Sequence, residues 1–164
     1  MKSVLISIQP KWCELIASGK KTIEVRKTRP QLETPFKVYI YMTKSNLTGD
    51  KKAYKDRMAG KVIGEFVCDE IQDMRDVSKE PTCLSIDEWL KYTDGHKGIV
   101  YGWCISDLVI YDEPKELSEF HTIKKCKACK WTGYESTACI YDKDCKVPFT
   151  ITRPPQSWCY VDKE

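Results

Sequence analysis

The segment from Val4 to Arg26 constrains the fold more than any other part of the chain. Val4-Leu5-Ile6-Ser7-Ile8 is apolar and β-branched and stops at Pro10, the pattern of a strand handing over to a helix start. In Trp12-Cys13-Glu14-Leu15-Ile16-Ala17-Ser18-Gly19, the positions Trp12, Leu15, Ile16 and Gly19 recur at helical spacing. Gly19 is a natural helix stop, because glycine enters the left-handed region without steric cost. Thr22-Ile23-Glu24-Val25-Arg26 then alternates, with Ile23 and Val25 on one strand face and Thr22, Glu24 and Arg26 on the other. Strand, short helix, glycine, strand is the opening unit.

Further strands follow. Phe36-Lys37-Val38-Tyr39-Ile40-Tyr41-Met42 comes directly after Pro35, and residues 61–71 and 99–111 read the same way, the latter bent at Ser106-Asp107. Residues 148–160 read as one last extended segment. Between them, 43–59 is polar and lysine-rich, a loop with a short helix around 51–58. Ser85-Ile86-Asp87-Glu88-Trp89-Leu90 reads as a helix start, with Ser85 and Glu88 spaced to close a capping box. Several strands with only short helices between them predict a mixed, barrel-like α+β domain rather than a doubly wound sheet. The 164 residues suit one domain, expected over 1–164. No apolar run approaches the roughly 20 residues that span a bilayer. The first apolar stretch is cut short by Gln9-Pro10-Lys11, unlike a signal peptide, so the expectation is a cytoplasmic protein with no membrane partner.

Charge says less. The formal net charge is +3 and the pI about 8.3, too mild to argue for a polyanion partner by itself. Lysines and arginines gather at 44–61 and 124–130, and solvated faces explain either run. The sharper feature is local: Glu24 stands between Lys21 and Arg26. Such a triad is either an ordinary ion network or a cradle for a planar hydrogen-bonding ligand, the carboxylate accepting amino protons and the cations meeting carbonyl or phosphate oxygens. By spacing alone the ion network is the simpler account.

Ile8-Gln9-Pro10-Lys11-Trp12 followed by Glu14 to Lys27 resembles the signature of the ASCH domain, whose hallmark is G-x-K-x-x-E-x-R. The stretches 38–44, 60–66, 101–108 and 153–161 resemble a bacterial and phage branch of the same family. The resemblance implies a PUA-like mixed β-barrel with short flanking helices and a cleft for RNA or a nucleoside-sized ligand. Carried over by position, Lys21, Glu24 and Arg26 line that cleft, with Thr43, Lys44, Trp12 and Trp103 as neighbours. A tryptophan there could stack on a base, worth roughly 1–3 kcal/mol. Trp103 is more simply barrel core; Trp12 fits either role.

Some ASCH relatives hydrolyse the amide of acetylated cytidine, and others are described as metal-dependent ribonucleases. In the small amidohydrolases a threonine occupies the position of Glu24, and here the nearby hydroxyl, Thr22, lies two residues earlier on the same strand face. That departure weakens the amidohydrolase reading. His96 and His121 are the only histidines and neither is near the motif in sequence, which leaves metal-free RNA cleavage without an evident acid–base pair. The expectation is therefore an RNA- or modified-nucleotide-binding domain. Its alternatives are an RNA- or nucleoside-directed hydrolase, with Lys21 and Glu24 as catalytic candidates, and a phage-encoded protein-binding module.

Nine cysteines need a separate account. Cys13, Cys68 and Cys104 lie in apolar patterns where a free thiol packs as a small hydrophobe, and the odd total without an export signal argues against a disulfide framework. Cys126-Lys127-Ala128-Cys129, followed by Cys139 and Cys145, supplies four thiolates for a structural zinc ion within a cysteine-rich excursion at about 121–147. Cys159 or His121 could replace one ligand. Free thiols or a redox pair fit the spacing equally.

Overall fold

A computed structural model describes residues 2–44, 57–75, 77–125 and 146–162. Cys126, Cys129, Cys139 and Cys145 lie outside these residues, as does most of the helix expected around 51–58.

The opening unit forms as its sequence dictates. Strand β1 (Lys2–Ile8) leads into helix α1 (Pro10–Ala17), which has proline in its first turn. The helix stops in a Schellman arrangement: Gly19 has φ +72°, its N–H donates to Ile16 O, and Lys20 N–H donates to Leu15 O. The chain is thereby turned into strand β2 (Ile23–Arg26).

Strands β3 (Phe36–Met42), β4 (Val62–Asp73) and β5 (Tyr101–Lys115) follow, and then β6 (His121–Lys125), β7 (Lys146–Thr150) and β8 (Trp158–Asp162). They build one sheet in the order β2-β5-β4-β3-β1-β8-β6-β7. Among the described residues, only β1 and β3 run parallel, as the crossover through α1 requires. Helix α2 (Ile86–Thr93) joins β4 to β5, and its capping box is present in full: Ser85 Oγ accepts from Glu88 N–H and the Glu88 carboxylate accepts from Ser85 N–H.

The bend in β5 falls where expected. Asp107 has φ +46°, and the register slips by one residue between the pairs Val67–Ser106 and Glu65–Val109, which marks a bulge. The last extended segment is divided. Arg153-Pro154-Pro155 falls between β7 and β8, where two prolines lack the amide protons a ladder needs.

The sheet is buried on both faces of its middle strands. Val4, Ile6 and Ile8 of β1 pack with Phe36, Val38, Ile40, Phe66 and Trp103 on one side, while Leu5 packs with Tyr39, Tyr41, Phe120 and Val161 on the other. This is the mixed α+β arrangement expected, with one difference that matters for the site. The sheet is not hydrogen-bonded into a closed barrel: among the described residues, β2 pairs only with β5. The free edge of β2 instead approaches the end of β1 through a side chain, Arg26, whose Nη2 donates to Ser7 O at 2.7 Å. That seam is where the cleft opens.

Candidate ligand cleft

A concave site of about 470 Å³ lies along the seam, within the roughly 300–1,000 Å³ usual for small-ligand pockets. Three walls meet there. One is β2 with Glu24, Val25 and Arg26, joined by Lys21 just ahead of the strand. A second is the end of β1 and start of α1, with Ser7, Ile8, Gln9 and Trp12. The third is Pro154, Pro155 and Gln156. Thr43, Leu84 and Tyr92 complete the lining.

The backbone of β2 explains part of this. Ile105 N–H donates to Thr22 O, so antiparallel alternation turns the amides and carbonyls of Glu24 and Arg26 toward β5. Those of Ile23 and Val25 face the free edge. Two side chains meet them there: Lys21 Nζ donates to Ile23 O at 2.7 Å, and Tyr92 Oη donates to Val25 O at 3.3 Å. The side chains of Ile23 and Val25 pack the other way, against Met74 and Val100.

The triad is buried. Lys21 is 3% exposed and Glu24 5%. Lys21 Nζ donates to Ile23 O and to Thr82 O, both at 2.7 Å, and lies 3.4 Å from Glu24 Oε2. An ammonium has three donors, and these three partners account for all of them. Arg26 Nη2 meets Glu24 Oε1 at 3.0 Å as well as Ser7 O. The carboxylate is thus held from both sides, with Lys21 committed to fixing it. Trp12 lies beside the same ammonium, its ring centroid 5.2 Å from Lys21 Nζ and 4.4 Å from Lys11 Nζ.

Burial pushes the Lys21 amine below the usual lysine range, and the neighbouring Glu24 carboxylate opposes the shift without cancelling it. The folded state then binds fewer protons than the unfolded state between the two titration points, so the lysine's contribution to stability rises with pH over that window. Wild type is expected to gain stability relative to Lys21→Met as pH climbs from neutral toward 10.5. Urea denaturation of both proteins at neutral pH and just below that value checks it; a constant difference would contradict the burial argument.

The residues singled out from sequence divide by place. Lys21, Glu24, Arg26, Thr43 and Trp12 all line the cleft. Lys44 is exposed and lays its aliphatic stem over Gly60, away from the lining. Trp103 is fully buried between Phe36 and Trp158, each with ring centroid 5.9 Å away, and belongs to the core. Thr22 is exposed and outside the lining. His96 meets Ile99 O in the turn after α2 and His121 opens β6, so neither joins the cleft. Among the described residues, no three His, Cys, Asp or Glu side chains gather as a metal site.

Sequence reasoning did not mark Leu84, Tyr92 or Pro154-Pro155-Gln156 as site residues. The prolines fall in a stretch that reads as one extended segment, and nothing local to Tyr92 says that its hydroxyl reaches a strand 67 positions away.

The ASCH domain family model matches residues 6–154. The chain belongs to the ASCH domain family. Its structure is similar to that of ASCH from Zymomonas mobilis, with a TM-score of 0.57 and 19% identity, covering 98% of this chain and 88% of that one. A tyrosine-to-phenylalanine mutant of the Zymomonas mobilis protein matches with a TM-score of 0.58, again at 19% identity, covering 99% and 92%. A serine-to-alanine mutant of the same protein matches at 0.57 and 19%, covering 98% and 89%. At that identity the likeness concerns the fold. No curated protein matches the sequence. No helix among the described residues is long and apolar enough to cross a membrane.

Proposed function

We propose that this ASCH domain binds RNA or a modified nucleotide in the seam cleft, with Glu24 as the central acceptor. The observation carrying the reading is the buried Glu24, clamped by Lys21 and Arg26 at the base of a cleft that Trp12 and Tyr92 also line. A fixed carboxylate accepts amino protons, an arginine meets carbonyl or phosphate oxygens, and an aromatic face accommodates a base. Lys21 serves by orienting Glu24, since its own donors are committed within the protein.

Titration of wild type and Glu24→Gln with single-stranded RNA and with free nucleosides, followed by tryptophan fluorescence, tests the proposal. Wild type should bind at least one ligand and the variant should bind it at least tenfold more weakly; absence of binding to both ligand sets removes the reading.

A hydrolase reading on the same cleft is the second proposal, supported by the depressed titration of the Lys21 amine beside Glu24. Release of cytidine from acetylcytidine, or of fragments from labelled RNA with and without divalent metal, separates enzyme from binder. The zinc ion proposed at Cys126, Cys129, Cys139 and Cys145 rests on sequence spacing and has no part in either reading of the cleft.

A further inference from the structure

The cleft has an uneven rim. At the end near Lys21, the exposed cation Lys11 is ion-paired with Glu88 of α2. The opposite end differs. Just past Arg26, the chain carries Lys27 and Arg29, and across the seam Arg153 immediately precedes the lining prolines. None of these three has an ion-pair partner among the described residues. Arg29 and Arg153 are exposed and Lys27 is half-buried.

Side-chain contacts place Lys27 and Arg29 at one corner. Lys27 Nζ is 5.2 Å from the ring centroid of Tyr92, which lines the cleft, and Arg29 lies 5.8 Å from the ring of Tyr101, the ladder partner of Arg26. Thr28, between them, accepts a hydrogen bond from Trp158 Nε1 at 2.9 Å, which ties this segment to the strand that follows the 154–156 wall. Lys27 and Arg29 are therefore presented on ordered side chains where two walls of the cleft converge, and the exposed Arg153 adjoins the wall of prolines by its place in the chain.

We propose that Lys27, Arg29 and Arg153 form a phosphate-binding rim, so that the ligand is a single-stranded oligonucleotide whose backbone leaves the cleft at its Arg26 end. The inference rests on the nucleotide-binding reading of the cleft. Its physical basis is a contrast of charge along one groove. Inside, the triad is internally compensated, with one carboxylate against two cations that already hold it. Outside, three uncompensated cations follow within a few residues of the lining. A free nucleoside has no use for them. A phosphodiester chain does, because each cation meeting a phosphate releases condensed counterions and adds affinity that weakens with salt. Neighbouring aromatic rings hold Lys27 and Arg29 in place, which lowers the ordering cost of such contacts.

The experiment compares a short single-stranded RNA with its component nucleosides at several salt concentrations. The proteins are wild type, the triple variant Lys27→Ala, Arg29→Ala, Arg153→Ala, and a control carrying Lys37→Ala and Lys115→Ala on the face packed around Tyr39 and Tyr111. Wild type should bind RNA more tightly than any nucleoside. The triple variant should lose affinity for RNA, with the slope of log affinity against log salt reduced by about 2, near 0.7 per phosphate contact removed. The control should keep the wild-type slope. A melting curve of the triple variant close to wild type shows that the fold is retained. If nucleosides bind as tightly as RNA, or if the triple variant keeps the wild-type slope, the rim is overturned while the cleft reading stands. If wild type binds neither ligand, both fall together.

Discussion

Glu24→Ala is expected to destabilise the folded protein by about 3–5 kcal/mol and to abolish ligand binding in the cleft. The size follows from what the substitution leaves behind. Lys21 is 3% exposed and the Arg26 side chain 14%, so both cations would stay in a low-dielectric seam after losing their shared counter-ion. Their attraction to Glu24 is worth little in net terms, because three charged groups were desolvated to make it. An uncompensated buried cation, by contrast, costs its full desolvation penalty. Arg26 also spans the seam to Ser7 O, so its displacement would loosen the approach of β2 to β1. Adding Lys21→Met should recover part of the loss, since it removes one of the stranded charges. Urea denaturation of the wild type, the single variant and the double variant measures this. A loss below about 1 kcal/mol for Glu24→Ala, the range of surface ion pairs, would show that water compensates the cations and that the triad is not the buried clamp described.

The same triad shows what a sequence can and cannot disclose. Its residues were legible because their order is local: Gly19 ends α1 in a left-handed turn, and strict alternation then places Glu24 and Arg26 on one face. The capping box at Ser85 and Glu88 and the bend at Asp107 were legible for the same reason, since each is decided within a few residues. Burial was not. Lys21 lies under Thr82 and beside Trp12, and the contact with Thr82 joins residues 61 positions apart. Alternation names the face a side chain takes, whereas distant segments decide whether that face is wet. That is why spacing alone favoured an ordinary surface network over a buried clamp.

The open seam was hidden for a related reason. A run of strands separated by short connections predicts a curled sheet, but closure depends on whether the two ends meet amide to carbonyl. Here β2 exposes the edge groups of Ile23 and Val25, and side chains from Lys21 and Tyr92 occupy their carbonyls. Two prolines at 154–155 separate β7 from β8 and contribute their own surface to the far wall. The cleft is thus a consequence of incomplete closure, assembled from segments near residues 7, 24, 92 and 155 that share no local pattern.

Trp103→Ala is expected to cost about 3–5 kcal/mol, the range for truncating a large buried aromatic. Trp103 is fully buried, packs against Phe36 and Trp158, and stands opposite Glu24 in the β2–β5 ladder. Cross-strand partners share one face, so its removal would leave a cavity beside the carboxylate clamp, and cleft binding should weaken along with stability. Trp103→Phe should be milder than its lost volume suggests. The indole Nε1–H is buried without an acceptor among the described residues, and an unsatisfied buried donor costs about 1–3 kcal/mol that phenylalanine does not carry. The two effects oppose one another: lost packing destabilises, and removal of the orphan donor offsets part of that loss. Chemical denaturation of the three proteins resolves the terms, with the order wild type, Phe, Ala expected and the larger step falling between Phe and Ala. If the Phe variant proved as unstable as Ala, the indole N–H would have to be satisfied in solution, and an internal water beside Glu24 would be the acceptor to look for.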